Sequence, residues 1–157
     1  MTPPNVTQVT QPDADAFLAL LHAAFAYMGN RIDPPSSLHR LTPQTIRDFA
    51  SDNVLLAILD ANKSPLACLF VTKNPDHLYL GKWAVHPDHQ GKGYARALLN
   101  WVEAQPGNAQ YIELETRIEL TENHAYFQRQ GFAITGETRH PGYTRTTGLT
   151  MRKPLIS

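Results

Sequence analysis

Between Ala84 and Leu99 the chain reads AVHPDHQGKGYARALL. A short apolar run ends at Val85. His86, His89, Gln90, two glycines and Lys92 follow, and a helical pattern begins at once. These residue types at this spacing describe an anion site. A helix start leaves several backbone N–H groups without partners, and its dipole adds about half a positive charge there. Gly91 and Gly93 let the backbone wrap closely around an oxyanion, because no Cβ intrudes. Lys92 and Arg96 add full positive charges, Arg96 three residues past Gly93. The chemistry on offer is the holding of a phosphate or pyrophosphate.

The common nucleotide motifs fit poorly. The Gly-Lys-Gly here lacks the upstream glycine and the following Ser or Thr of a Walker loop. A Rossmann fingerprint needs a third glycine and an acidic residue at a later strand end, and neither the spacing nor the strand order agrees. His86 and His89 flank the loop, but a metal centre needs further ligands that the sequence does not supply, so no metal is expected. The single cysteine, Cys68, sits in an apolar run and reads as a small buried hydrophobe.

The elements that must position this loop follow from periodicity. NVTQVTQ (5–11) reads as a first strand, and Asp13 or Asp15 can cap the next helix. Phe17, Leu20, Leu21, Ala24 and Met28 share one face of that helix, with Gly29 as its stop. Thr42 and Pro43 open a short second helix. The runs 54–60 and 65–73 read as a hairpin and 77–85 as a third strand, which Gly81 interrupts as at a bulge. A helix from about Gly93 to Gln105 follows the loop. The strand 111–118 puts Ile112, Leu114, Thr116 and Ile118 on one side and Tyr111, Glu113, Glu115 and Arg117 on the other. A helix capped by Thr121 and stopped by Gly131 precedes two closing strands. The expected fold is one mixed-sheet α/β domain over 1–157, in the order β-α-α-β-β-β-α-β-α-β-β.

Composition excludes several classes. Lys plus Arg equals Asp plus Glu at 14 each, so no global charge recruits nucleic acid or an anionic membrane. No apolar run approaches the roughly 20 residues that span a bilayer. No basic region with an apolar core opens the chain, so no signal peptide and a cytoplasmic location are expected.

The loop and its surroundings resemble the GNAT superfamily of acyl-CoA-dependent N-acetyltransferases. That family's loop follows an apolar strand ending in Val and places Gln90, Gly93 and Ala95 at patterned positions, with Gly91 an extra glycine. The similarity continues through ELETRIELTENHAYFQRQGF to the Gly131-Phe132 signature, and the element order is the family's. It implies acetyl-CoA as co-substrate. The backbone at Trp83, Ala84 and Val85 would pair with the pantetheine arm, and Gln90, Gly91, Lys92, Gly93, Tyr94, Ala95 and Arg96 would surround the pyrophosphate. An N–H near Val85 could polarise the thioester carbonyl. The Gly81 interruption matches a bulge that splays two central strands. Asn123 would bind the cofactor, unless it is an ordinary capping residue.

The implied reaction is attack of an amine on an acetyl thioester. Many members have a Tyr four residues before the signature glycine to protonate the leaving thiolate; here that position is Phe127. Tyr126, its neighbour, is the acid candidate, against a plain packing role. Glu115 could serve as base through water, against a salt bridge to Arg117 or another base. Tyr27 and Met28, placed at the end of the first long helix, are acceptor-pocket candidates, and Tyr143 could border the same mouth. The acceptor is an amine of a small molecule or peptide; the neutral charge balance argues weakly against polyamines. An exposed closing strand could pair two copies into a homodimer. The alternatives are a CoA-binding sensor without catalysis, motivated by Phe127, and a nucleotide-binding regulator.

Overall fold

Apolar residues on both faces of each central strand set the architecture. In β2 (Val54–Leu59), Val54, Leu56 and Ile58 join one buried cluster while Leu55 and Ala57 join the other. A strand covered on both sides reads as continuously apolar rather than alternating. The computed structural model describes residues 4–155. Besides β2 it contains β1 (Val6–Gln8), β3 (Pro65–Lys73), β4 (His77–Val85), β5 (Tyr111–Arg117), β6 (Ala133–Thr138) and β7 (Gly148–Pro154). The helices are α1 (Ala14–Ala24), α2 (Pro43–Asp52), α3 (Tyr94–Ala104) and α4 (Thr121–Arg129). This is the element order expected from the sequence. The strands form one mixed sheet, ordered β1-β2-β3-β4-β5-β7-β6. Every neighbouring pair is antiparallel except β4 and β5, which are parallel and joined through α3.

The sheet separates two cores. Phe17 and Leu21 of α1 and Ile46 of α2 pack with Leu55, Cys68 and Phe70 on one side. Leu98, Leu99 and Val102 of α3 pack with Leu69, Ile112 and Met151 on the other. Each of these leucines is fully buried, which stabilises the fold by about 1.5–3 kcal/mol apiece.

Helix ends follow the local chemistry with two corrections. Asp13 accepts the Ala16 N–H at 3.2 Å, and Thr42 and Thr45 form a capping box behind Pro43. The first helix, however, stops at Ala24 rather than at Gly29. A 3-10 turn follows over Ala26–Arg31, so Tyr27 and Met28 do not lie at the end of α1. The turn tightens because Met28 N–H bonds the Phe25 carbonyl three residues back, at 3.0 Å. Thr121 caps nothing: the buried Leu120 takes the N-cap position, and its carbonyl accepts from Asn123 and His124. Gly131 does end α4, at φ 101°. Its N–H bonds the Gln128 carbonyl, and Phe132 N–H bonds that of Phe127, the paired bonds of a Schellman motif.

The β4–β5 ladder positions the site. It runs from His77↔Tyr111 to Leu80↔Leu114 and ends there, although both strands continue. On its other side β4 carries a bulge. Cys68 faces Ala84 and Phe70 faces Gly81, so three steps on β4 oppose two on β3. The extra residue falls after Gly81, and the left-handed conformation belongs to Lys82, with φ 47°. Gly81 itself needs no positive φ. The glycine marks the bulge without being its strained residue.

Candidate active site

Three adjoining cavities follow the parted strands. The loop cavity, about 580 Å³, is lined by residues that include Val85, Gln90, Gly91, Gly93 and Arg96. The slot, about 380 Å³, lies between the splayed ends of β4 and β5 and includes Lys82, Trp83, Glu115 and Arg117. The outer cavity, about 430 Å³, includes Arg40, Tyr79, Glu115, His140 and Tyr143. Tyr27, Trp83, Ala95, Asn123 and Tyr126 line both the loop cavity and the slot, which makes them its threshold.

The loop cavity is built by backbone conformation. Gly91 and Gly93 sit at φ 81° and 82°. A Cβ at either would meet nothing within 4 Å, so conformation, not space, is what requires glycine there. Gly93 is the N-cap of α3, and no side chain among the described residues caps the helix. The first intrahelical bond runs from Ala97 N–H to the Gly93 carbonyl at 3.0 Å. The amides of Tyr94, Ala95 and Arg96 in the first turn therefore face the cavity as uncapped donors. The side chains are more committed than the sequence suggests. Arg96 donates to Gln130 Oε1 at 2.6 Å. Lys92 lies outside the cavity lining, its Nζ 3.0 Å from His89 Nδ1. Tyr94 stacks on His89.

Aromatics build the threshold. Trp83 donates its indole N–H to the Ala95 carbonyl at 3.3 Å, which ties the end of β4 to the start of α3. Phe127 stacks on Trp83 at 5.6 Å and packs on Phe132. Tyr126 meets Trp83 edge-on at 6.1 Å. It is half-buried, and burial pushes its phenol pKa up. Tyr126 reaches the threshold despite the reversed Tyr-Phe order, because Trp83 sits beside both rings. Asn123 donates to the Tyr27 hydroxyl at 3.0 Å.

Charge in the slot follows the pleat of β5. Glu113 is bound by Arg152 Nε at 2.9 Å. Glu115, two residues on, is exposed and makes no ion pair among the described residues. Its expected bridge to Arg117 does not form. Arg117 instead donates to the carbonyls of Pro34 and Pro35, at 2.6 and 3.1 Å. Burial, then the Glu115 and Glu113 charges, pushes Tyr79 up to about 12.

A strap closes the outer side. Tyr143 donates to Asp33 Oδ1 at 2.7 Å, and Arg145 donates to the Asp33 carbonyl at 2.8 Å. The Asp33 N–H donates to Glu119 at 3.0 Å, and Arg31 grips both oxygens of Glu122. Tyr143 borders the outer cavity with its hydroxyl held by Asp33, while Met28 lines the slot. Type and spacing do not single out Lys82, Tyr79 or Asp33, and they offer Arg117 only as a bridge partner for Glu115. The Pro-Ser loop around Asp33 was visible, but its partners lie more than 80 residues away. Among the described residues no three His, Cys, Asp or Glu cluster as a metal site needs, and no helix is long and apolar enough to cross a membrane.

Known proteins share this architecture. The PaiA N-acetyltransferase from Thermoplasma acidophilum, solved in complex with coenzyme A, superposes with a TM-score of 0.80 at 10% identity, covering 98% of this chain and 99% of that one. A GNAT-family acetyltransferase from Staphylococcus aureus gives 0.73 at 11% identity, over 98% of this chain and 100% of that one. The histone acetyltransferase HPA2 and related acetyltransferase from Corynebacterium glutamicum gives 0.70 at 21%, over 99% and 98%. At these identities the likeness shows the fold. Comparison with curated protein sequences gave no match. The model of the Acetyltransferase (GNAT) family matches residues 17–132, from α1 through the loop to Phe132. The chain is therefore a member of the GNAT acetyltransferase family.

Proposed function

We propose that the protein transfers an acetyl group from acetyl-CoA to a primary amine of a small molecule or peptide, by direct attack in a ternary complex. The observation that carries this reading is the parting of β4 from β5 beyond Leu80 and Leu114, beside a helix start that no side chain caps. That arrangement fits acetyl-CoA. The Tyr94–Arg96 amides and the αL glycines suit its pyrophosphate. The open edge of β4 at Trp83–Val85 suits a pantetheine amide arm, as in strand addition. Acetyl-CoA supplies the activated acyl carbon.

The chain's residues do the rest. An alkylammonium of pKa near 10.4 must lose a proton before it can attack, which costs about 4 kcal/mol at pH 7.4. Glu115, the slot carboxylate with no ion-pair partner among the described residues, takes that proton directly or through one water. The nitrogen forms its bond to the acyl carbon and the C–S bond breaks. Tyr126, a neutral phenol whose pKa burial raises further, gives its proton to the thiolate, and the second proton that the nitrogen sheds as it becomes an amide returns to the Tyr126 oxygen. Phe127 cannot; its place is against Trp83. The test is incubation with acetyl-CoA and a broad panel of amines while released thiol is followed. Turnover of one amine class is expected, and none across the panel would overturn the reading.

A further inference from the structure

Two cations line the slot that this reaction does not use: Arg117, committed to the Pro34 and Pro35 carbonyls, and Lys82. Lys82 is a non-glycine residue at φ 47°, in the left-handed region. That conformation is unfavourable, and such outliers persist where surrounding structure fixes them, clustering at functional sites. Here Cys68 donates its S–H to the Lys82 carbonyl at 3.5 Å, and Gly81 and Ala84 keep their β3 partners on either side. The side chain is half-buried and lines the slot. Its Nζ lies 5.6 Å from the Phe70 ring centroid. A π face steadies an ammonium without neutralising it. Among the described residues Lys82 makes no ion pair. Burial lowers its pKa, as for a charge short of water and of a counter-ion.

Its surroundings narrow the missing anion. Phe25, Met28, Leu38 and Trp83 line the slot beside it, so whatever enters has an apolar body. Glu115 is the only carboxylate among the residues lining the slot and the outer cavity, against Lys82, Arg40 and Arg117. A second cation on the acceptor would be repelled there.

We propose that Lys82 is the specificity residue of the acceptor pocket and selects an apolar primary amine that also bears a carboxylate. Glu115 faces the amine and Lys82 binds the carboxylate. This rests on the transferase reading. It places apolar amino acids ahead of their neutral amides, and well ahead of polyamines.

The test pairs phenylalanine, methionine and para-(aminomethyl)benzoate with their carboxamides as acceptors. For at least one pair the wild type should favour the acid by about 30-fold in kcat/KM, as for a charge-assisted hydrogen bond in a shielded site. Lys82→Met should bring the pair within about threefold by raising KM for the acid, and Lys82→Arg should keep the preference. Calorimetry on the CoA-saturated protein, with N-acetylphenylalanine against its carboxamide, reads the same selection without turnover. Equal handling of acid and amide by the wild type, or an undiminished preference in Lys82→Met, overturns the proposal. Selective acid binding that Lys82→Met abolishes, in a protein that turns over no amine, would overturn the transferase reading and leave the Lys82 assignment standing.

Discussion

The Asn123 amide donates to the Tyr27 hydroxyl at 3.0 Å, joining the 3-10 turn after α1 to the first turn of α4. Both residues line the loop cavity and the slot, so the bond bridges the threshold between them. It joins the same two elements that the Arg31–Glu122 pair joins. Tyr27→Phe should therefore raise KM for acetyl-CoA and acceptor by about three- to tenfold, the worth of one neutral hydrogen bond. The kcat should stay within about twofold, because no reacting atom is removed. Steady-state kinetics with each substrate varied in turn checks this. Unchanged KM values would mean that packing and the Arg31–Glu122 pair hold the threshold without this bond.

Glu115 differs from Glu113 only in what surrounds it. Arg152 holds Glu113, whereas Glu115 has no ion-pair partner among the described residues. As the base, it should lower kcat by about 10²- to 10⁴-fold when changed to Gln. The deficit should shrink as pH approaches 10, where an amine of pKa near 10.4 deprotonates without help. A rate profile of Glu115→Gln between pH 7 and pH 10 reads this directly. A loss that stays constant over the range would assign Glu115 to acceptor binding instead.

Gly93 opens α3 at φ 82°, with open space where a Cβ would stand. Gly93→Ala therefore adds no clash and isolates the conformational cost, about 1–2 kcal/mol for an L residue in the left-handed region. The melting temperature should fall accordingly. Affinity for CoA should fall about tenfold as the first-turn amides shift, since 1.4 kcal/mol corresponds to a factor of ten. Differential scanning and isothermal titration calorimetry measure the two effects separately. Full CoA affinity in this variant would mean that the amides do not hold the anion.

Local chemistry made most of the fold legible. The Asp13 cap, the Thr42–Pro43 start, the Gly131 stop and the glycine loop each rest on neighbours within a few residues, and the structure has all four. The errors lie where distant contacts override local preference. Phe25 bonds back to Leu21, and the chain then turns to put Tyr27 against Asn123, so α1 ends before Gly29. Leu120 displaces Thr121 from the cap because it is buried. Gly81 flagged the bulge correctly. Which residue would carry the positive φ depends on the β3 register, and no spacing within β4 encodes that. The site was legible to the same degree. The loop could be read from its glycines, whereas the partners of Arg117 and Asp33 were set by tertiary folding.

The strap should loosen at both ends of the pH scale. Tyr143 donates to the Asp33 carboxylate, and that bond requires a neutral phenol and an ionised acid. The bond from Tyr143, reinforced by Arg145, holds the Asp33 pKa below its usual 3.8. A depressed acid stabilises the fold above its unfolded value, and that contribution disappears as pH falls below about 4. Asp33 in turn raises the Tyr143 pKa above its usual 10.0. A raised phenol stabilises below its unfolded value, and that contribution disappears as pH rises past about 10. Asp33 is exposed and Tyr143 only half-buried, so the effect is small. Denaturant midpoints of wild type and Tyr143→Phe should differ between these limits and converge beyond them. A difference that stays unchanged at every pH down to acid unfolding would trace to ring packing.

The reversed aromatic pair makes the sharpest test of the mechanism. Phe127 stacks on Trp83 and packs against Phe132, which leaves Tyr126 as the hydroxyl beside Trp83 at the threshold. Burial raises its pKa, against the lowering influence of Arg96 and Arg129, so it carries its proton through the neutral range. As the acid for the leaving thiolate, it should lower kcat by about 10- to 100-fold in Tyr126→Phe, the lower part of the range for a positioned proton donor. KM for acetyl-CoA should change little, since the ring is kept. Phe127→Tyr in that background should not restore the rate, because the new hydroxyl would project from a ring already stacked on Trp83. An intact kcat in Tyr126→Phe would instead leave the thiolate to depart unprotonated, with catalysis resting on Glu115 and on positioning.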